Sequence, residues 1–380
     1  MIFVYTITFL LLIGYAFLLQ FYHRSWKQQP EDSPPPSGYT PVTAISVLVP
    51  ARNEEGNIGH CIASLLAQDY PQQLLDIIII DDHSEDGTSS IVKEFEQQGV
   101  RLLSLRDWIT AGQLNSYKKK AIEAGISLAK GTLIVTTDAD CSAGPDWLKI
   151  IAHCHETKNA QLVAGPVKMR LQRGWLSVFQ SLDFLSLQGI TAASVFRGFH
   201  SMCNGANLAY TVAAFRAVDG FKDIDGPASG DDMLLMHKIS GRFPGQIAYL
   251  KNRAAIVDTE PAGDLRTFLQ QRIRWASKAR FYEDKQVFRV LLLVYVMNLG
   301  LLITLTAAFF SGFHAAVAVG FILLKTLFEW PFMKSVASFF NQSGIMKYFL
   351  FFQPVHIIYT ITAGSFGQFG RYEWKGRMVR

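Results

Sequence analysis

Charge is what this chain of 380 residues has least of. Asp, Glu, Lys and Arg make up 18% of it, apolar residues 49%, and the mean hydropathy is positive. That balance excludes a purely soluble enzyme and assigns part of the chain to lipid. Cysteine is also scarce. Cys61, Cys141, Cys154 and Cys203 are scattered, with no C-x-x-C pair and no histidine at zinc-finger spacing. Such scatter excludes a disulfide framework and a zinc module, and it points to reduced thiols in a cytosolic domain. No nucleic-acid-binding motif is present. The net charge of +5 suits an anionic membrane surface or a phosphate-bearing substrate, and nucleic acid is not required by it.

Long apolar runs, by contrast, are abundant. Residues 1–22 are nearly all apolar, and at about 1.5 Å per residue they cross a ~30 Å hydrocarbon core. A secretory signal is the rival reading. Against it, no basic stretch precedes the run and no small-residue cleavage site follows. His23, Arg24 and Lys27 come next, so the charge rule puts this end in the cytoplasm and Met1 outside. Residues 23–43 read as a linker, rich in Pro, Ser and Gly between Gln28 and Pro41.

From Ala44 the pattern alternates between short apolar runs and helical segments. The runs are Ile45–Val49, Ile77–Ile80, Val100–Leu105 and Leu133–Val135. Helices are expected from Asn53, as a possible N-cap, to Ala67, from Asp86-Gly87-Thr88 to about Gln98, and from Lys118 to Lys130, with Gly131 as the C-cap glycine. Alternation of this kind predicts an α/β fold, a mostly parallel sheet with helices on both faces. Three runs then end in polar clusters at one sheet edge: Pro50–Arg52, Asp81-Asp82 and Asp138-Ala139-Asp140. Open α/β sheets bind ligands at the carboxyl ends of their strands. Two Asp oxygens at a strand tip make a hard anionic set suited to Mg²⁺ or Mn²⁺. A bland alternative is a polar strand end that caps the next helix.

Gln161–Gly165 reads as a further strand. Trp175 to Phe199 is apolar and aromatic but broken by Asp183, too polar to span. We expect helices in the interface or beneath a membrane part, with core helices as the alternative. Cys203–Asn207 is a turn-rich polar segment, and Ser229-Gly230-Asp231-Asp232 precedes an apolar helix from Met233. Asp264–Lys278 reads as a helix that carries Gln271, Arg274 and Trp275 on one face. Trp is a natural platform for a sugar ring and Arg for phosphate, whereas a surface helix with one packed Trp is the plain alternative. Apolar segments near Val290–Phe310, Ala315–Phe332 and Tyr348–Phe369 follow. Lys325 and Glu329 fall one turn apart inside the second, as a pair or facing a cavity. Three crossings from a cytoplasmic domain put the tail outside, yet Arg371, Lys375, Arg377 and Arg380 favour inside. Either one segment is re-entrant or interfacial, or the tail is an exception to the charge rule; the first, a non-spanning segment, is the favoured reading.

Taken in order, Ser46–Glu55 (S-V-L-V-P-A-R-N-E-E), Asp81–Thr88 (D-D-H-S-E-D-G-T), Asp138-Ala139-Asp140, Gly230-Asp231-Asp232 and Gln271-Arg272-Ile273-Arg274-Trp275 resemble family 2 glycosyltransferases. The similarity is to the membrane-embedded branch that includes cellulose, chitin, hyaluronan and poly-N-acetylglucosamine synthases and ceramide glucosyltransferase. It runs from about Ala44 to Lys278. The resemblance implies a glycosyltransferase-A fold flanked by transmembrane helices, a nucleotide-diphosphate sugar donor (a UDP-sugar), a divalent metal and inversion at the anomeric carbon. It further implies that Pro50 and Arg52 line the nucleotide-base pocket, with Asp82 on the base or ribose and Lys118 near the donor. Asp138 would face ribose and sugar, and Asp140 would hold the metal. Asp232 would be the general base with Asp231 its acidic neighbour, although the family often has Glu-Asp where this chain has Asp231-Asp232. Gln271, Arg274 and Trp275 would bind acceptor and donor diphosphate.

The expected organisation is a helix over 1–22, a linker over 23–43, a cytoplasmic catalytic domain over 44–285, membrane segments over 286–370 and a basic tail over 371–380. The expected activity is sugar transfer to a hydroxyl of a membrane lipid or a glycan. Few spans and a short tail favour a single transfer over a processive polysaccharide synthase. A catalytically inactive scaffold and a nucleotidyltransferase are the readings from other classes. All expected carboxylates oppose the first, and the Q-x-x-R-W helix opposes the second.

Overall fold

The computed structural model describes residues 1–109, 116–199, 202–227, 229–278, 285–369, 372–374 and 377–379. Helix α1 (Ile2–Gln28) is followed by β1 (Ile45–Ala51), α2 (Ile58–Leu66), β2 (Leu75–Asp81), α3 (Thr88–Glu94), β3 (Val100–Ser104), α4 (Tyr117–Leu128) and β4 (Leu133–Thr136). Next come β5 (Ser142–Ala143), α5 (Trp147–Lys158), β6 (Leu162–Ala164), β7 (Val167–Met169) and α6 (Trp175–Phe196). Then follow β8 (Leu208–Thr211), α7 (Val212–Ala217), α8 (Met233–Arg242), β9 (Ile247–Tyr249), β10 (Val257–Thr259) and α9 (Leu265–Ser277). Helices α10 (Lys285–Ala307), α11 (Gly312–Phe339) and α12 (Gln353–Phe369) precede a ribbon of β11 (Tyr372–Trp374) and β12 (Arg377–Val379). Contacts group these elements into an α/β unit (29–170, 194–260, 373–380) and a helical unit (1–28, 171–193, 261–372).

In the α/β unit, seven strands form one sheet in the order β3-β2-β1-β4-β8-β6-β9. Strands β3, β2, β1 and β4 are parallel, and β8 runs antiparallel to both β4 and β6. β1 and β2 are buried along nearly their whole length, so both read in the sequence as mostly apolar runs, broken by Ser46 and Asp76, rather than alternating ones. Register pairs Ala51 with Asp81 and Leu48 with Thr136, so the three predicted polar clusters leave the sheet at one edge. A second, three-stranded sheet, β5-β10-β7, was not foreseen. Its strands are two or three residues long, too short to show a period.

Local chemistry shifts several expected boundaries. Helix α2 starts at Ile58, not near Asn53, whose φ of 50° is left-handed and whose side-chain oxygen accepts from Glu85 N. Gly131 is required by a close approach rather than by a left-handed cap. A Cβ there would lie 2.3 Å from the Ser46 nitrogen on β1. Helix α1 continues past Tyr22 to Gln28. The expected linker is not loose either. Asp32 accepts from the Lys251 nitrogen at 2.8 Å and pairs with Lys158. Glu156 of α5 accepts from Val42 N, Thr43 N, the Thr43 hydroxyl and the Tyr39 hydroxyl.

The helical unit packs α1, α10 and α12 around Leu12, Met297, Leu301 and Ile357. Backbones approach closely where α1 meets α10, since a Cβ on Gly300 would lie 2.3 Å from Thr8 Oγ1. Among the described residues, three helices are long and apolar enough to cross a membrane: Ile2–Gln28, Lys285–Ala307 and Gly312–Phe339. Helix α12 has 17 residues, a rise of about 25 Å, short of a ~30 Å core. The expected interfacial helices near 175–199 form one helix, α6, most of which inside this unit is buried. A Cβ on its Gly189 would meet Val336 of α11 at 2.5 Å. Lys325 and Glu329 do pair, at 2.6 Å, and Gln353 and Tyr15 complete their hydrogen bonds. The contacts also assign α6 and α9 to this unit, a different division from the 44–285 domain read in the sequence. Arg371, Lys375 and Arg380 of the expected basic tail lie outside the described residues.

Burial opposes ionisation of Glu156, but its hydrogen bonds to Thr43 and Tyr39 outweigh this and hold its pKa below the ordinary glutamate value. A depressed pKa adds stability above the unfolded value, and that stability is lost as pH falls through the folded one. The protection factors of the Val42 and Thr43 amides, taken against their intrinsic exchange at each pH, should therefore fall on acidification below about pH 4.5. In Glu156→Gln those amides should already exchange faster at pH 7, with about 1–2 kcal/mol of local protection lost. Equal protection in both proteins would contradict the clasp.

Candidate active site

Loops after β1 and β2 form one half of the sheet edge. Arg52 is 7% exposed. Its NH1 donates to the carbonyls of Asp82 (3.0 Å) and His83 (2.8 Å), and NH2 reaches Glu85 at 3.4 Å. This guanidinium thus ties the two loops together. His83 has a left-handed φ of 57°, which costs of order 1 kcal/mol in a non-glycine residue. Its ring is held by Asp82 Oδ1 and by the Ile109 carbonyl, each at 3.0 Å. Asp82 is buried beside it, and Pro50 is half-buried at the end of β1.

The other half is built on β4, β8 and the start of α8. Lys118, in the first turn of α4, extends its ammonium between two carboxylates. Nζ lies 2.7 Å from Asp138 Oδ1 and 3.2 Å from Asp231 Oδ2. Burial works against its charge, yet Asp138 and Asp231 raise its pKa above the ordinary lysine value. Gly205 sits against this group. A Cβ there would lie 3.3 Å from Asp231 Oδ2, 3.4 Å from Lys118 Nζ and 3.7 Å from Asp232 Cβ. Its carbonyl accepts from the Thr136 hydroxyl at 2.7 Å, which fixes the 203–207 turn to the tip of β4. Asp232 caps α8, its Oδ1 accepting from the Met233 nitrogen at 2.7 Å. The neighbouring Lys119 is wholly buried and holds the approach to this turn, donating to the carbonyls of Ile224 and Pro227.

Asp138, Asp140 and Cys141 present ligand atoms within 4.8 Å of one another. Of these, the two half-buried carboxylates fit a hard divalent cation. Cys141 does not. Burial, then Asp140 and Asp138, push its thiol well above the usual range, and it points to Asp140 Oδ1 at 3.4 Å. Lys118 already shows that the site favours positive charge. Cys61 is likewise buried, its pKa raised first by burial, and none of the four cysteines forms a disulfide.

Asp138, Asp140, Asp231, Asp232 and Lys118 are therefore gathered in one place, with Asp82 and Arg52 along the same edge. Gln271, Arg274 and Trp275 lie on α9 of the helical unit, each half-buried. Sequence reading missed Gly205, Lys119 and Asn207. The signal for Gly205 and Asn207 was the turn-rich 203–207 segment itself. Asn207 is 1% exposed; it accepts from Trp147 Nε1 and donates to the Pro166 and Ala255 carbonyls. Asn207→Ala would remove three buried hydrogen bonds, at about 1 kcal/mol each, while the Pro166 carbonyl keeps its bond from Val257 N. We expect it to lower the thermal midpoint of the protein by several degrees. An unchanged midpoint would contradict this keystone role.

Comparison with known proteins bears on the family and the fold. The profile of "Glycosyl transferase family 2" matches residues 46–216, and that of "Glycosyl transferase family group 2" matches residues 133–365. The "Glycosyltransferase AglE" of Haloferax volcanii is 27% identical over 183 residues, 48% of this chain and 55% of that protein. The "Poly-beta-1,6-N-acetyl-D-glucosamine synthase" of Staphylococcus epidermidis is 25% identical over 244 residues, 63% of this chain and 55% of that protein. A "Beta-monoglucosyldiacylglycerol synthase" of Synechocystis is 29% identical over 130 residues, 33% of this chain and 26% of that protein. The chain thus spans about half the length of these relatives, or less. The mannosyltransferase PcManGT of Pyrobaculum calidifontis, solved with GDP-mannose and Mn²⁺, superposes with a TM-score of 0.58 at 20% identity, over 93% of this chain and 99% of that one. That likeness identifies the sheet as glycosyltransferase-A-like. Motif order, sheet and family profiles converge: the chain belongs to glycosyl transferase family 2.

Proposed function

We propose that the protein is an inverting, metal-dependent glycosyltransferase. It moves a sugar from a nucleotide-diphosphate sugar, a UDP-sugar in our reading, to a hydroxyl of a membrane lipid or glycan. The observation that carries this is the Asp138–Lys118–Asp231 bridge, which holds acidic groups of β4 and the α8 turn in one cluster. Asp140, with Asp138 beside it, would hold Mg²⁺ or Mn²⁺ on the donor diphosphate. Such a cation, when bound, offsets the charge that builds on the departing diphosphate. Asp138 would face ribose and sugar, and Asp82, with Pro50 and Arg52 nearby, the base or ribose.

An acceptor hydroxyl is a weak nucleophile until a carboxylate takes its proton. Asp231 is 8% exposed and held by Lys118, whereas Asp232 is half-buried at the head of α8. This difference supports Asp232 as the base and Asp231 as the residue that keeps Lys118 in place. Attack opposite the leaving group needs one base and no covalent sugar–enzyme step, by analogy with hydrolysis. Gln271, Arg274 and Trp275 would serve acceptor and diphosphate.

We place the catalytic unit at the cytoplasmic face, on the strength of His23, Arg24 and Lys27 after the first apolar run. With three spanning helices and a short α12, the basic tail falls on that same side. A second reading, a processive polysaccharide synthase, is favoured by the similarity to the poly-N-acetylglucosamine synthase. The glucosyldiacylglycerol synthase favours a lipid acceptor.

Purified protein in lipid nanodiscs should release nucleoside diphosphate from one member of a UDP- and GDP-sugar panel, and only with divalent metal. Asp140→Ala and Asp232→Ala should each lose about 100-fold or more in kcat/KM. Unchanged release in both variants would overturn the assignment. Mass spectrometry of the product separates the readings, since a ladder of sugars excludes single transfer.

Lys118 gives a pH signature. Its raised pKa means that its stabilising charge is fully present below the ordinary lysine value and is lost only as pH rises through the folded one. The parent should therefore show no alkaline limb from this group below about pH 9. Lys118→Met removes the cation between the carboxylates, so the acid limb of its profile should move up by about one unit or more. Superimposable profiles would contradict the bridge.

A further inference from the structure

In the helical unit, Arg272 of α9 is 3% exposed, and three helices converge on it. Its Nε donates to Asp183 Oδ2 on α6 at 2.9 Å, and NH2 makes ionic contact with the same oxygen at 2.8 Å. Tyr359 of α12 donates its hydroxyl to the other oxygen, Oδ1. The carboxylate is thus engaged on both sides, and Asp183 is itself 4% exposed. This explains the lone acidic residue that interrupts an otherwise apolar segment.

The rest of the guanidinium serves its own helix. NH1 donates to Gln271 Oε1 at 2.9 Å. The guanidinium carbon lies 4.2 Å from the Trp275 ring centroid and 4.8 Å from that of Phe268. Phe184, next to Asp183, lies against Trp275 as well, with centroids 6.2 Å apart. One buried cation therefore touches both ends of the Gln271–Trp275 motif. By engaging Oε1 it also fixes which way the Gln271 amide faces, leaving the NH₂ end as the one to offer a ligand oxygen. Stacking of a desolvated guanidinium on an indole is attractive and holds the ring in one rotamer.

We propose that Arg272, braced by Asp183 and Tyr359, is the positioning residue that sets the Trp275 ring and the Gln271 amide before any ligand arrives. This rests on the reading that Gln271 and Trp275 bind acceptor and donor diphosphate. Arg272 touches neither. It acts through them, by removing rotamer freedom that binding would otherwise have to remove.

A purely structural ion pair behaves differently from a positioning one. Removing one partner of a buried pair is strongly destabilising, but replacing all partners by apolar groups of similar size is close to neutral. The test is the triple variant Arg272→Met, Asp183→Leu, Tyr359→Phe, alongside Arg272→Lys, which keeps the ion pair and loses the planar stack. Thermal midpoint, kcat and both KM values are read for each, with Gln271→Ala and Trp275→Ala as references. We expect the triple variant to unfold within a few degrees of the parent. Both it and Arg272→Lys should lose tenfold or more in kcat/KM, with the acceptor KM rising more than the donor KM. If Trp275→Ala and Gln271→Ala are impaired while Arg272→Lys and the triple variant match the parent, positioning is overturned. If the triple variant does not fold, Arg272→Lys decides alone. If Trp275→Ala and Gln271→Ala turn over like the parent, the failure belongs to the reading of the motif, not to Arg272.

Discussion

A single ammonium group makes the acidic edge of the α/β unit possible. At an effective dielectric of about 20, two carboxylates 4 Å apart repel by roughly 4 kcal/mol. Asp138 and Asp231 come from parts of the chain far apart in sequence, and Lys118 stands between them at 2.7 and 3.2 Å. Without a cation there, one carboxylate would take up a proton or the loops would part. Gly205 is the steric condition for this bridge, since a side chain would press on Lys118 and Asp231. Asn207 and Lys119 anchor the backbone on either side, one at the strand tip and one at the loop before Asp231. A site so constructed is acidic, half-buried and already neutralised in part by a fixed charge.

A comparable economy governs the helical unit. Among the described residues, its buried Asp, Glu, Lys and Arg side chains sit in two groups, Lys325–Glu329 with Gln353 and Tyr15, and Arg272–Asp183 with Tyr359. Each ion pair is completed by neutral hydrogen-bonding groups, as the cost of isolated buried charge demands. The Lys325–Glu329 pair joins helical turns within α11 and reaches α1 and α12, which suits a packing role. The Arg272 group sits one residue from Gln271 and three from Trp275, which ties that packing to the motif.

Much of this was legible in the amino-acid order because buried parallel strands leave an unmistakable trace. Ile77–Ile80 is a continuous apolar run and Ile45–Val49 is apolar but for Ser46, and each ends in the polar residues that cluster at the sheet edge. Helix α9, read as Asp264–Lys278, was equally plain; it runs from Leu265 to Ser277, with Asp264 capping it by accepting from Thr267 N. What stayed hidden lacked a local signature. β8 runs antiparallel, and the sheet of β5, β7 and β10 is made of strands too brief to show a period. Gly131 reads as a cap but is required by contact with β1, a tertiary cause. Arg272 hid between two motif residues, because nothing local distinguishes a buried arginine from an exposed one.

The most direct measurement is a crystal structure of the protein with its nucleotide-sugar donor and Mn²⁺, read by the anomalous signal of manganese. The account predicts one strong peak beside the Asp140 carboxylate, with the diphosphate against it and Lys118 still joined to Asp138 and Asp231. A manganese peak remote from Asp140, or a donor bound away from the edge formed by Asp82, Asp138 and Asp232, would contradict it.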